Sequence, residues 1–266
     1  MQAQIGIIGG SGLYELFGDS ASEHKLTTPY GDPSGVVTIA PVAGRSVAFL
    51  PRHGSGHRYP AHVIPYRANM WALRSLGCRQ ILAPCAVGGL QPQLGAGTFV
   101  VPDQLVDRTS GREHTFYDTG AVHINFADPY CPHLRQSILD TAASAGQPVV
   151  DGGTMVVING PRFSTRAESR GFAAAGAGVI NMTGAPEAAL ARELAMCYAT
   201  IALVTDLDAG VDGERGVTQD EVFRVFADNT AKMRTLLLAG IAAVDTARPC
   251  ACANALDGMT LPFELP

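Results

Sequence analysis

Short apolar runs rich in valine and isoleucine recur along the chain at Ile5–Ile8, Val36–Ala40, Val47–Leu50, Gln80–Pro84, Phe99–Pro102, Met155–Ile158, Val179–Met182 and Ala199–Thr205. Runs this short and this apolar suit β-strands. Between several of them lie helical patterns. From His62 to Leu76 the residues Val63, Tyr66, Met70, Leu73 and Leu76 fall at intervals of three and four, and Leu134–Ala145 and Pro186–Met196 are further helical segments. Thr165-x-x-Glu168 and Thr218-x-x-Glu221 have the capping-box pattern of helix starts, the second opening a long amphipathic stretch through Val222, Phe226, Met233, Leu237, Ile241 and Val244. Strand and helix alternate, so the class is α/β. No repeat or linker divides the 266 residues, which read as one domain followed by a tail bearing Cys250 and Cys252.

Charge narrows the function. The chain has 19 Lys and Arg against 24 Asp and Glu, and only 16% charged residues. This argues against disorder and against a general affinity for nucleic acid or anionic membrane. No secretory signal is legible in Met1–Gly12, and the apolar stretch Thr235–Val244 is well short of the ~18 residues a membrane span needs. A cytoplasmic protein is expected. Six cysteines without a CxxC pair are expected to be reduced, with Cys250 and Cys252 as thiols on a mobile terminus, the alternative being that Cys250-Ala-Cys252 is a structural or redox pair.

Residues able to carry chemistry cluster where strands end, which is where open α/β sheets bind ligands. Gly9-Gly10-Ser11-Gly12 follows the first run and could cradle phosphate with backbone N–H groups and a hydroxyl, or simply be a tight strand exit. It is not a dinucleotide fingerprint, because Glu15 stands where the last glycine belongs. Arg52-His53 leaves the third run as an oxyanion pair, the arginine fork chelating phosphate. His53 and His57 have zinc-like spacing, but Gly54 and Gly56 oppose a helix there. Thr205-Asp206-x-Asp208 ends the most apolar run, and strand geometry points both carboxylates one way, where each raises the other's pKa toward that of a proton donor. Asn181-Met182-Thr183 leaves another strand: Thr183 can donate to phosphate, Met182 can line a sugar and Glu187 can accept from sugar hydroxyls, or Pro186-Glu187 simply opens a helix.

Taken together, Ile5-Gly-Ile-Ile-Gly-Gly-Ser-Gly12, Arg52-His53-Gly54, Asn69-x-Trp71-Ala72-Leu73, the segment Gly160-Pro161-Arg162-Phe163-Ser164-x-Arg166-Ala167-Glu168, Asn181-Met182-Thr183 and Thr205-Asp206-x-Asp208 resemble the trimeric class of the purine nucleoside phosphorylase and methylthioadenosine phosphorylase family, in order from residue 5 to about 245. The resemblance implies a nucleoside phosphorylase domain over 1–247, with a central mixed, distorted β-sheet flanked by helices, and a tail over 248–266 that can dock on a neighbouring subunit. It implies a phosphate site of Ser11, Arg52, His53, the Ala86 backbone and Thr183, with Cys85 where some relatives carry threonine. Met182 would line the ribose, and Phe163, Ser164, Asp206 and Asp208 the base, with Asp206 as the general acid. His123, Val222 and Phe223 would form the pocket for a 5′ substituent, His123 coming from a neighbour.

The implied reaction is phosphorolysis of 5′-methylthioadenosine to adenine and 5-methylthioribose 1-phosphate. Inorganic phosphate is the co-substrate, and no metal or organic cofactor is expected. The expected assembly is a homotrimer or a dimer of trimers. The alternatives are a 6-oxopurine or 5′-methylthioinosine phosphorylase, a dinucleotide-binding oxidoreductase and a noncatalytic nucleoside-binding module.

Overall fold

The computed structural model describes residues 2–10, 13, 21–213, 216–247 and 249–266. The element order is β1 (Ile5–Gly9), β2 (Ser22–His24), β3 (Val37–Val42), β4 (Arg45–Pro51), α1 (Tyr66–Ser75), β5 (Gln80–Gly89), β6 (Phe99–Val101), β7 (Gln104–Arg108), α2 (Pro132–Ser144), β8 (Val150–Asp151), β9 (Thr154–Ile158), α3 (Arg166–Ala174), β10 (Ala177–Asn181), α4 (Gly184–Glu193), β11 (Cys197–Leu207) and α5 (Gln219–Ala243). Each apolar run of the sequence is a strand, and each helical pattern contains a helix. The Thr165 hydroxyl accepts the Glu168 N–H while the Glu168 carboxylate accepts the Thr165 N–H, completing the first capping box. Thr218 accepts the Glu221 N–H at the start of α5.

The strands form one mixed sheet in the order β2-β3-β4-β1-β5-β10-β9-β7, with β11 on the other edge of β5, then β6 and β8. Strands β1, β4, β5 and β11 are parallel, and β10 runs antiparallel to β5. Burial on both faces explains the uniformly apolar runs. Ile5 and Ile7 of β1 join Phe49, Leu134, Ile138, Leu237 and Ile241 on the face covered by α2 and α5. Ile8 joins Leu50, Met70, Leu73, Leu190 and Leu194 on the face covered by α1 and α4.

A fork in the sheet positions everything that follows. On one edge of β5, β1 pairs with residues as far as Leu82, and β10 takes over only at Gly88. Pairing along residues 83–87 of that edge is missing among the described residues, while β11 runs the full length of the opposite edge.

The tail does not behave as a detached terminus. Cys252 is 1% exposed, and Leu256 packs with Tyr117, Leu261, Phe263 and Leu265 on the same chain. The Phe263 ring stacks on Tyr117 at 5.2 Å between centroids and meets Trp71 edge-on at 5.5 Å. The tail that bears these two thiols is therefore packed and not the mobile end expected, because a tail this apolar gains more by covering Tyr117 and Trp71 than by staying solvated.

Candidate active site

Arg52 leaves β4 beside the fork and is 2% exposed. Its Nε and Nη2 donate to the Glu187 carboxylate at 2.8 and 2.9 Å, Nη2 also donates to the Ile8 carbonyl, and Nη1 donates to the Pro84 carbonyl at 3.0 Å. The guanidinium thus serves a β5 carbonyl that has no strand partner there. A guanidinium has five N–H donors, so one Nη1 hydrogen is left without a partner among the described residues. The chelating edge expected for phosphate is held by Glu187, which is fully buried and also accepts the Tyr198 hydroxyl at 2.7 Å. Glu187 is accordingly no acceptor of sugar hydroxyls: it is the counter-charge that fixes Arg52.

His53 follows, its Nδ1 donating to the Tyr59 carbonyl at 2.9 Å. Burial, then the neighbouring charges of Arg52 and His57, pull its pKa down to about 4. Its ring is therefore neutral at pH 7, with Nε2 an acceptor. The His57 ring stacks on it at 4.0 Å, and Phe223 lies edge-on to His57 at 6.4 Å. Parallel stacking does not converge two imidazoles on a metal, and Gly56 breaks the helix at φ 62°.

Thr183 reaches the fork because β10 runs down β5: Ile180 pairs with Gly88, so the next residues step back toward Cys85. Asn181 secures the turn. Its Oδ1 accepts the N–H groups of Thr183 and Gly184 at 3.3 Å each, and its Nδ2 lies 3.5 Å from both Cys85 Sγ and Thr183 Oγ1. Burial raises the Cys85 thiol to about 11, so it is neutral beside Arg52. Met182, half-buried, sits against Gly160, whose φ is +64° and where a Cβ would lie 2.5 Å from the Met182 sulfur. Only glycine fits there. Arg112 holds this loop by donating to the Asn159 carbonyl and side chain and to the Tyr66 hydroxyl.

At the other end of the fork, Asp206 pairs with Gly88 and is 7% exposed. The Thr205 hydroxyl donates to its Oδ2 at 2.8 Å. Its pKa is pushed up to about 6, chiefly by burial and only secondarily by Asp208, so mutual repulsion is the minor cause. The Ser169 hydroxyl donates to Asp208 Oδ2 at 2.6 Å. The Ser164 hydroxyl is buried without a partner among the described residues, and Phe163 is half-buried one residue before it.

Strand β5 acts as a ruler between these ends. Cys85 and Gly88 are three residues apart, about 10 Å at strand rise. Arg52 and Thr183 gather near Cys85, while Asp206 and Asp208 lie over Gly88. Ala86, half-buried on the same side of β5 as Gly88, lies between. Ser11 is outside the described residues. His123 is exposed, in a segment whose neighbours Val122 and Ile124 pack on the tail cluster, and no described contact joins it to Arg52, Thr183 or Asp206. Val222 is half-buried and Phe223 is exposed. The sequence does not announce Ser169, which donates to Asp208, Tyr198, which donates to Glu187, or Arg112, which holds the loop at Asn159; the only local signal is the GPRFS segment beside Asn159.

Known proteins match the chain over nearly its whole length. The model of the phosphorylase superfamily matches residues 4–242. S-methyl-5′-thioadenosine phosphorylase of Mycolicibacterium smegmatis is 57% identical over 98% of this chain and 99% of its own. Purine nucleoside phosphorylase of Streptomyces coelicolor is 52% identical over all of this chain and 99% of its own. Among solved structures, methylthioadenosine phosphorylase from Schistosoma mansoni in complex with adenine superposes with a TM-score of 0.86 at 40% identity, covering 91% of this chain and 93% of that one. Matches of this length and identity show that the chain belongs to the phosphorylase superfamily.

Proposed function

We propose that this protein is an enzyme of the pentosyltransferase type that cleaves 5′-methylthioadenosine with inorganic phosphate, giving adenine and 5-methylthioribose 1-phosphate for purine and methionine salvage. One observation carries the reading: the two ends of the fork in β5 stand about 10 Å apart, the span of a nucleoside with its attacking phosphate, and have the opposite chemistries that phosphorolysis needs. Relatives named for the same activity over almost the full chain support it.

Phosphate would lie at the Cys85 end, held by the remaining Nη1 hydrogen of Arg52, the Thr183 hydroxyl, the Ala86 backbone and Ser11, with His53 beside it. An oxygen of phosphate forms the bond to C1′ as the bond from C1′ to N9 breaks, the electron pair passing into the purine. Asp206 delivers its proton to N7, so the base leaves neutral. Met182 would face the ribose, with Phe163, Ser164 and Asp208 around the base. Val222, Phe223 and a neighbour's His123 would enclose the 5′ substituent, which makes a cytoplasmic homotrimer, or a pair of trimers, the working assembly. Among the described residues no helix is long and apolar enough to cross a membrane. Small molecules are the only partners the reaction requires, and phosphate is its only co-substrate.

A second reading, a 6-oxopurine phosphorylase, draws on the Streptomyces relative. Base release from 5′-methylthioadenosine, adenosine, 5′-methylthioinosine and inosine, with and without phosphate, separates the two. Phosphate-dependent release fastest from 5′-methylthioadenosine is expected. Equal efficiency with 5′-methylthioinosine would favour the second reading, and no phosphate-dependent release from any of the four would overturn both.

A further inference from the structure

Far from the fork, four cysteines meet. Cys131 lies just before α2, Cys197 begins β11, and Cys250 and Cys252 belong to the tail. Their sulfurs all lie within 4.8 Å of one another, with Cys131 to Cys250 at 3.4 Å and Cys197 to Cys250 at 3.6 Å. Cys131 and Cys252 are 1% exposed, Cys197 is 8% exposed and Cys250 is half-buried. Four sulfurs around a zinc ion at about 2.3 Å stand about 3.8 Å apart, so a cluster with separations of 3.4 and 3.6 Å and none above 4.8 Å can close around such an ion with small adjustments. Two disulfides would instead draw the sulfurs into pairs about 2.05 Å long.

The surroundings suit thiolates. Cys131 is the N-cap of α2, where the helix end favours negative charge. The Cys252 N–H points at Cys250 Sγ at 3.5 Å. Leu134, Phe99 and Val101 pack in the same core cluster and exclude water. An all-sulfur tetrahedral set selects zinc over the harder divalent cations.

We propose that Cys131, Cys197, Cys250 and Cys252 form a tetrathiolate site for a zinc-class divalent cation that fastens the tail to the body of the protein. Binding displaces the thiol protons to solvent and leaves the sulfurs unoxidised, so no redox partner is required. The role is structural: Cys197 and Asp206 are nine residues apart on one strand, about 30 Å. A closed four-ligand set leaves no position for substrate. The cation would hold Cys250 and Cys252 against the core and, through them, the segment that places Phe263 on Tyr117 and Trp71.

The test uses the full-length protein, purified with reductant and without chelator, and titrated with Zn(II) and separately with Co(II). One Zn(II) per chain, the absorption of tetrahedral Co(II) thiolate, and protection of four thiols from alkylation are expected. Stoichiometric binding should be lost in Cys250→Ser, whose half-exposed position tolerates the change, and in Cys252→Ser, but kept in Cys78→Ala, a thiol outside the cluster. Stripping the cation should lower the melting temperature by about 5 to 15 °C. Reduced protein that takes up no Zn(II) and alkylates at all four positions would overturn the proposal. So would protein in which these cysteines resist alkylation only until reductant is added, the mark of disulfides.

Discussion

Gly88 and Asp206 face each other in register across β5 and β11, and Asp206 Oδ1 lies 3.3 Å from where a Cβ on residue 88 would sit. The same Cβ would be 3.1 Å from Ile180 and 3.3 Å from Asp208. The glycine is there to let both carboxylates close over the strand. Gly88→Ala should lose about 1 to 3 kcal/mol of stability from overpacking. It should slow base release by up to about 100-fold, because the acid is displaced from its proton acceptor. Chemical denaturation and steady-state kinetics check this. Wild-type turnover would show that Asp206 needs no such clearance.

Ser164 separates binding from folding. Its hydroxyl is buried and unpartnered among the described residues, so Ser164→Ala should leave stability unchanged or raise it by up to about 1 kcal/mol. Adenine binding should nevertheless weaken by roughly tenfold or less, the worth of one neutral hydrogen bond. Calorimetric titration with adenine beside a thermal melt reads both. If stability falls and binding holds, the hydroxyl belongs to the fold and not to the base.

Arg52 and Glu187 make the opposite case. Glu187 accepts from Arg52 twice and from Tyr198 once, and Glu187→Gln leaves a buried guanidinium without its counter-charge. A loss of about 3 to 5 kcal/mol is expected, which lowers the melting temperature by about 6 to 20 °C in a chain of this size. The phosphate KM should rise with it, because Arg52 is no longer aimed. A variant with wild-type stability would mean that Arg52 finds other acceptors.

These residues also show how far the sequence could be read. The inner strands were legible because burial on both faces leaves runs such as Ile5–Ile8 uniformly apolar, and strand exits drew attention to Arg52, Thr183 and Asp206. Edge strands β2 and β7 were not, because Ser22–His24 and Gln104–Arg108 are mostly polar and face solvent. The far end of β5 was hidden by Gly88 and Gly89, which look like a turn locally and are strand because β10 and β11 pair with them. Glu187 reads as a helix-start residue or a sugar ligand, since its partner lies 135 positions away. Of the four cysteines only Cys250 and Cys252 are near one another in sequence; that they meet Cys131 and Cys197 depends on where the tail lands.

Asp206 also couples stability to pH. A free aspartate ionises near 3.8, and burial moves this one up to about 6. Between those values the folded protein keeps a proton that the unfolded chain releases, so stability falls as pH rises from about 4 to about 6 and is level above. Roughly two units correspond to about 3 kcal/mol. Asparagine has no proton to lose, and its side-chain oxygen can still accept from Thr205. Asp206→Asn should therefore match the wild type near pH 4 and become the more stable protein above pH 6, by up to about 6 to 12 °C in melting temperature. It should also release adenine about 100 to 10,000-fold more slowly, having no acid to give N7. Melting curves of both proteins from pH 4 to 8 decide the linkage: a difference that does not change with pH would mean that Asp206 titrates as an ordinary surface carboxylate and is no reservoir for the proton that the base requires.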